Sequence, residues 1–462
     1  MIERNINPIE YENGPEIPFE KLPRDERESL IVEKLVELVD YSQSNSPYYK
    51  EAYKNSPKIT SLEDFSCLPV LTRDSFVKAS SNGDLFTTPK EEGGLRITMS
   101  GGTSAQAKYL YREPKEITSY VEKAAGYLSR YVIGKYDIVS NHVASGNLWA
   151  SFLVFQQQIE LTGATSLPFG TSSEETVARV WAEQRPTVLW SMPSATLDML
   201  HKMKEKGINM SPFKDMFHTM VYGGEHLNSL QKQKLSQLLG IKKFVSFYSS
   251  TDTGAISQEL CDAKPGLMHL LEDVNYTQIV DIDDLENGNP VPHEVESEKM
   301  GALVVTNLHY KRAPVIRFVI GDVGVIRPAD CGCGIKSPLL EISGRIDDQL
   351  NINSEKWPAT AALKEITSAY SDLLTGTAQF VLTKKGLYTK LTVILESNNP
   401  IEAKKALTPS RLFELIATSA KDYNVLPENI CGNNIEYEVN CVHPNTIDRT
   451  STGKVKLVIW EI

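Results

Sequence analysis

Three groups of residues in this chain have types and spacings that could do chemistry. The first is Ser100-Gly101-Gly102-Thr103-Ser104, which follows a run, Arg96-Ile97-Thr98-Met99, that predicts a strand. Adjacent glycines let the backbone come close to a ligand, and hydroxyls with successive N–H groups suit a triphosphate. The segment lacks the Gly-Lys-Ser/Thr ending of the common P-loop; read alone, it is equally an ordinary polar turn. The second group is Gly223-Gly224-Glu225, then Phe247-Tyr248-Ser249-Ser250-Thr251-Asp252-Thr253-Gly254 about 25 residues on. Each follows a predicted strand, at the carboxyl end where α/β folds place ligands. Asp252 offers the carboxylate type that Mg²⁺ requires. The third group is Cys261, His269, Cys331 and Cys333, three thiols and an imidazole. That is the donor set of a closed tetrahedral zinc site. The spacing is not that of a zinc finger, so spacing alone leaves free cysteines and a surface histidine as the alternative.

These residues need elements to position them. Residues 28–55 read as an amphipathic helix, with Leu30, Ile31, Leu35, Leu38 and Val39 at helical spacing and Ser46-Pro47 as a stop signal. The middle of the chain predicts strands at 136–140, 187–190, 219–222 and 244–247. It predicts helices at 114–130, 173–184, 194–206 and 228–239. Such alternation implies βαβ units and a largely parallel sheet. From residue 270 short strands such as 302–306 and 315–319 alternate with turn residues, and an antiparallel part is expected. After Asp347 the character changes again. Helices at 359–370 and 409–422 and strands at 378–382, 390–395 and 435–439 suggest a small α+β domain.

With 462 residues the chain exceeds one small core, so two or more domains are expected. A formal charge of −11 argues against a nucleic-acid or anionic-membrane surface, which would need basic patches. No apolar run approaches the ~20 residues that span a bilayer, and the start, Met1-Ile2-Glu3-Arg4-Asn5, lacks a signal peptide's apolar core. A cytoplasmic location is the expectation. Reduced cysteines go with it, and Cys67, Cys431 and Cys441 read as core residues.

Taken in order, the motifs resemble the signature of adenylate-forming enzymes, the acyl/aryl-CoA synthetase superfamily. To those above are added Gly321-Asp322, Gly344-Arg345-Ile346-Asp347-Asp348 and Arg449-Thr450-Ser451-Thr452-Gly453-Lys454. The resemblance covers nearly the whole chain. It implies an α/β fold: a large N-terminal AMP-binding domain, residues 1–346, of parallel α/β subdomains with a small antiparallel part. A small mobile α+β domain, residues 347–462, would turn about Asp347. By the same resemblance Ser100, Gly101, Gly102, Thr103 and Ser104 hold phosphates, and Gly223, Gly224 and Glu225 pack against adenine. Tyr248 would stack on adenine, Thr251 would bond the α-phosphate and Asp252, in place of the usual glutamate, would hold Mg²⁺. Asp322 would accept the ribose hydroxyls, Arg345 would contact the nucleotide, and Lys454 would bridge the substrate carboxylate and the α-phosphate. The family usually continues its phosphate segment Thr-Gly-Lys-Pro; here Ser104-Ala105-Gln106-Ala107-Lys108 follows, so the lysine is displaced to Lys108.

Tyr41-Ser42-Gln43-Ser44-Asn45-Ser46-Pro47-Tyr48-Tyr49-Lys50 and Leu68-Pro69-Val70-Leu71-Thr72-Arg73 look like the opening of phenylacetate–CoA ligases. Members of that branch carry a Cys…His pair and a later Cys-x-Cys, which implies structural Zn²⁺ on Cys261, His269, Cys331 and Cys333. The acid pocket would form around 141–152, with His142, Asn147, Trp149 and Phe152. The two aromatics there could stack on an aromatic acid or fill core. The implied reaction is ATP-dependent activation of a small carboxylic acid to an acyl-adenylate, then transfer to CoA. A carrier-protein thiol or an amine as acceptor stays open, as does a nucleotide-binding protein without turnover. The resemblance also leaves a homodimer open.

Overall fold

The computed structural model describes residues 17–100, 108–225, 227–353, 355–385, 388–423, 425–432, 434–444, 446–448 and 455–461. Gly101, Gly102, Thr103, Ser104 and Lys454 therefore lie outside the described residues. The chain divides into two compact units. One comprises Met1–Glu225, Ser236–Ile320 and Gly324–Glu341; the other comprises His226–Leu235, Gly321–Val323 and Ile342–Ile462.

The chain opens with two helices, Arg24–Asn45 and Pro47–Ala52, where the sequence predicts one. Pro47 has no N–H to continue the first helix but is pre-set for the first position of the second. Ser46 lies between them in an extended conformation, its N–H on Ser42 O at 2.8 Å. Ile31, Leu35, Leu38 and Val39 are buried; Leu30 lies off that stripe and is exposed.

An eleven-stranded sheet carries the nucleotide motifs. Its parallel half runs Thr165–Pro168, Ile138–Asn141, Val188–Trp190, Thr219–Gly223, Lys243–Ser250 in spatial order. Helices Ser151–Leu161, Glu174–Gln184, Pro193–Glu205 and Ser229–Leu239 alternate with these strands in sequence. Val188–Trp190 is buried throughout and Thr219–Gly223 nearly so, as a parallel sheet covered on both faces requires. Helix Ser151–Leu161 and strand Thr165–Pro168 have no counterpart in the predicted elements. The helix reads SFLVFQQQIEL, whose clustered apolar and polar residues give little amphipathic signal.

The antiparallel strands are not a separate sheet. Gly254–Gln258, Met268–Leu270, Leu339–Arg345, Phe318–Arg327, Gly301–Asn307 and Asn275–Val280 continue the same sheet in that order. The strand predicted at 315–319 begins only at Phe318. Arg317 sits at φ 49°, and its buried guanidinium donates from Nη1 to the carbonyls of Phe65, Ser66 and Leu68. That left-handed residue ends the extended run.

The second unit has its own core. A sheet ordered Ile435–Val442, Tyr388–Ser397, Leu374–Lys385, Val458–Glu461 accompanies helices Ala359–Ala369 and Pro409–Lys421. Trp357, Phe380, Leu391, Val393, Leu412 and Ile416 are fully buried within it.

Candidate active site and metal cluster

The two predicted adenine-side motifs end adjacent parallel strands. Gly223 pairs with Phe247, and a Cβ on Gly223 would come within 2.4 Å of Phe247 O. Only glycine lets the strands approach there. Gly224 follows in the left-handed region, φ 80°. Glu225 turns back: its carboxylate accepts from Ser194 N at 2.5 Å and Ser194 Oγ at 2.8 Å. This satisfies an otherwise unpaired N–H at the start of helix Pro193–Glu205 and places negative charge at its positive end. Tyr248 is half-buried, Thr251 exposed and Asp252 buried.

The glycine-rich segment leaves and re-enters the described chain at one place. Strand Arg96–Ser100 pairs antiparallel with Lys108–Arg112, and Ser100 stands opposite Lys108. Lys108, Leu110 and Arg112 point to the buried face. Lys108 Nζ lies 2.5 Å from Asp252 Oδ1, with 4.9 Å to the Phe318 ring centre and 5.7 Å to that of Phe76. Asp252 Oδ2 accepts from Ser250 Oγ at 3.1 Å, and Arg112 Nη2 donates to Asp252 O at 3.0 Å. Arg112 also rests on the Tyr310 ring, 4.1 Å away. The role of Arg112 was not predicted. Its signal lay in the period-two pattern of Lys-Tyr-Leu-Tyr-Arg, where a buried leucine puts both flanking cations inward.

In the second unit Arg345 Nη1 lies 3.4 Å from Asp322 Oδ1. Gly321, at φ 84°, leaves room for that guanidinium: a Cβ would stand 2.7 Å from Arg345 Nη2. Asp347 lies in a 3₁₀ turn, Ile346–Asp348. The next residue, Asp348, accepts from Val458 N at 3.4 Å, and burial raises its carboxyl pKa.

Of the predicted pocket residues, His142 lies just past strand Ile138–Asn141 and stacks on Phe169 at 4.8 Å, with Trp181 edge-on at 5.6 Å. Ser140 Oγ accepts from Trp181 Nε1 at 2.8 Å and stands 2.7 Å from His142 Nε2. The hydroxyl proton is thus free for Nε2, which leaves the imidazole proton on Nδ1. Burial lowers the His142 pKa to about 3, so the ring is neutral at pH 7. Phe152 lies in the first turn of helix Ser151–Leu161, and Gly170 makes room beside it: a Cβ there would stand 3.3 Å from Phe152 Cε2. Trp149 is half-buried. Asn147 is exposed at φ 49°, within a turn where Trp149 N bonds Gly146 O at 2.9 Å.

The predicted metal ligands converge. The ligand atoms of Cys261, His269, Cys331 and Cys333 all lie within 4.8 Å of one another. His269 Nε2 is 3.7, 3.5 and 3.4 Å from the three sulfurs in that order. Its Nδ1 is 2.9 Å from Ser337 O, a bond that puts the proton on Nδ1 and leaves the Nε2 lone pair facing the thiols. The histidine is fully buried, not at the surface, and burial lowers its pKa. Cys67 and Cys431 are exposed and Cys441 is intermediate, which corrects their reading as core. Each of the two exposed thiols sits by a carbonyl of its own short helix, Glu63 O and Glu428 O.

A surface cleft lined by Tyr41, Glu113, Lys115, His309, Lys311 and Arg312 holds none of the predicted nucleotide, pocket or metal residues. Its cations are paired, Lys311 to Glu37 and both Lys115 and Arg312 to Glu113. Among the described residues no helix is long and apolar enough to cross a membrane.

No family model matches the chain. Two curated relatives do, both phenylacetate–coenzyme A ligases. That of Thermus thermophilus is 25% identical over 460 residues, covering 96% of this chain and 98% of the relative. That of Aromatoleum evansii is 25% identical over 450 residues, covering 96% of each. Among solved structures, 2-hydroxyisobutyryl-CoA ligase in its postadenylation state superposes with a TM-score of 0.75 at 20% identity. The match covers 98% of this chain and 94% of that one, and the likeness is one of fold.

Proposed function

Taking this chain as a member of the adenylate-forming superfamily, on the phenylacetate–CoA ligase-like branch, we propose that it activates a small carboxylic acid with ATP and passes the acyl group to CoA. The carboxylate attacks the α-phosphorus, an acyl–AMP bond forms and pyrophosphate leaves. The CoA sulfur then attacks the acyl carbon, a thioester forms and AMP leaves. The observation that carries this reading is the register of two adjacent parallel strands. It sets Gly223-Gly224 beside Phe247-Tyr248, with buried Asp252 just beyond. Two motifs about 25 residues apart in sequence thereby share one sheet end, where such folds take nucleotides.

Asp252 supplies the hard oxygen that Mg²⁺ prefers, and Mg²⁺ would neutralise phosphate charge there. Thr251, exposed beside it, is free to meet the α-phosphate. Asp322 and Arg345, paired within one unit, take the ribose and the nucleotide. His142, neutral and flanked by Phe169, lines the acid pocket with Phe152. An aromatic acid suits such walls, because offset and edge-to-face ring contacts add to area burial. Pyrophosphate exchange over a panel of aromatic and aliphatic acids tests the first half-reaction. Adding CoA tests the second. No exchange with any acid would overturn the reading, and transfer only to a carrier protein or an amine would overturn the acceptor.

The cysteine–histidine cluster is a structural zinc site on this reading. Zn–S bonds of about 2.3 Å and Zn–N bonds of about 2.0 Å place tetrahedral donors roughly 3.5–3.8 Å apart. The three His269–sulfur distances, 3.4–3.7 Å, lie close to that spacing, and the Cys331 and Cys333 sulfurs, 3.0 Å apart, would spread to take an ion. The chain has no open coordination position to offer there, since four protein donors close the set. Cys331→Ser or Cys261→Ser should therefore abolish bound zinc and lower the thermal midpoint by about 5 °C or more, given ~2–4 °C per kcal/mol for a large domain. Nucleotide affinity should fall much less. Elemental analysis finding no zinc in the purified protein would remove the site.

A further inference from the structure

The ion pair between Lys108 and Asp252 occupies the carboxylate that the proposed function offers to a divalent ion. Lys108 is the first cation after the glycine-rich segment, and Asp252 is the carboxylate offered to a divalent ion. Both are buried, with side chains 7% and 11% exposed, and Nζ lies 2.5 Å from Oδ1. Two aromatic rings, Phe318 and Phe76, flank the ammonium, which helps hold a desolvated cation.

We propose that Lys108 is a built-in counter-ion of Asp252 and that a divalent cation displaces it. This rests on the reading of Asp252 as a metal ligand. A buried carboxylate needs a partner in the absence of metal, since an uncompensated charge there is costly. A divalent ion and an ammonium cannot both sit within contact of one carboxylate oxygen without mutual repulsion, so they exchange. The carboxylate is the fixed member of the pair. Its Oδ2 is held by Ser250 Oγ, and the carbonyl of the same residue is held by Arg112. Lys108 is the movable member, a point charge on a four-carbon stem. It opens its strand opposite Ser100. No covalent bond changes in this exchange. Lys108 is thus a positioning residue for the metal.

The test uses the full chain without nucleotide and Mn²⁺ as the metal probe, read by electron paramagnetic resonance. Lys108→Met should bind Mn²⁺ about tenfold more tightly than the wild type, the scale of one charged hydrogen bond. A purely structural lysine would leave Mn²⁺ binding unchanged or weaken it. Lys108→Gln serves as a second, milder variant should Lys108→Met fold poorly, and Mn²⁺ should raise its thermal midpoint more than that of the wild type. Unchanged or weaker Mn²⁺ binding in both folded variants would overturn the exchange. Asp252→Asn separates the two levels. Loss of Mn²⁺ binding in that variant supports the metal assignment, whatever the lysine does. Unchanged binding would overturn the assignment of Asp252 and the exchange with it.

Discussion

Lys454→Ala should cut acyl-adenylate formation by about 10²-fold or more, the scale of losing one preorganised charge contact in a transition state. As the carboxylate attacks phosphorus, negative charge gathers on the oxygens around it, and a lysine between carboxylate and α-phosphate offsets that charge. The residue follows Arg449-Thr450-Ser451-Thr452-Gly453 and lies four positions before strand Val458–Glu461. That strand is anchored: it pairs parallel with Leu374–Lys385, and its first N–H reaches Asp348. Strand Val458–Glu461 is thereby tied to the turn that contains Asp347. The thermal midpoint should stay within a few degrees of wild type. Thioester formation from supplied acyl-AMP should survive, since that step does not need the lysine. The measurement is single-turnover acyl-AMP formation set against transfer from synthetic acyl-AMP. Near-wild-type adenylation would sink the assignment of Lys454.

Asp347→Pro should keep pyrophosphate exchange and lose about tenfold or more of thioester formation. On the proposed reading one site serves two different half-reactions: adenylation would need Lys454 at the carboxylate, and thiol attack would need that lysine withdrawn. A domain turning about a few residues can supply both arrangements, because a hinge needs only one or two backbone angles to change. Proline holds φ near −65° and restricts the residue before it, so it should trap one arrangement. The turn Ile346–Asp348 is short and flanked by extended backbone at Arg345 and Gln349, which concentrates any rotation in those three residues. Equal loss of both half-reactions with a lowered thermal midpoint would indicate misfolding. Full retention of transfer would mean that residues 347–462 do not turn about this point.

Much of this protein was legible in the sequence because its signals are local. Helices Pro114–Tyr131, Glu174–Gln184 and Pro193–Glu205 and strands Thr219–Gly223 and Gly301–Asn307 follow from periodicity and lie within a few residues of the predicted spans. Gly223-Gly224 was legible as a motif at the carboxyl end of a strand, but only the fold shows that a Cβ on Gly223 would strike Phe247 O of the neighbouring strand. The order of motifs along the chain pointed to the reaction class before any fold was known.

What the sequence could not carry is pairing at a distance. The thiols of Cys331 and Cys333 reach His269, more than sixty residues earlier, only because strands Met268–Leu270 and Leu339–Arg345 pair, with Leu339 opposite His269. No spacing rule contains that register. The antiparallel strands join the parallel ones in one sheet for the same reason: strand order is set by which buried faces fit together, not by local composition. Arg317 looked like part of a strand, yet three carbonyls from residues 65–68 hold it at positive φ. Lys108, displaced from the usual lysine position in the sequence, gains its meaning only from Asp252, 144 residues later in the chain and 2.5 Å away in space. Periodicity and turn chemistry act over a few residues and survive in one dimension. Charge pairing and metal geometry act over a few ångströms, and only the folded chain decides which residues come that close.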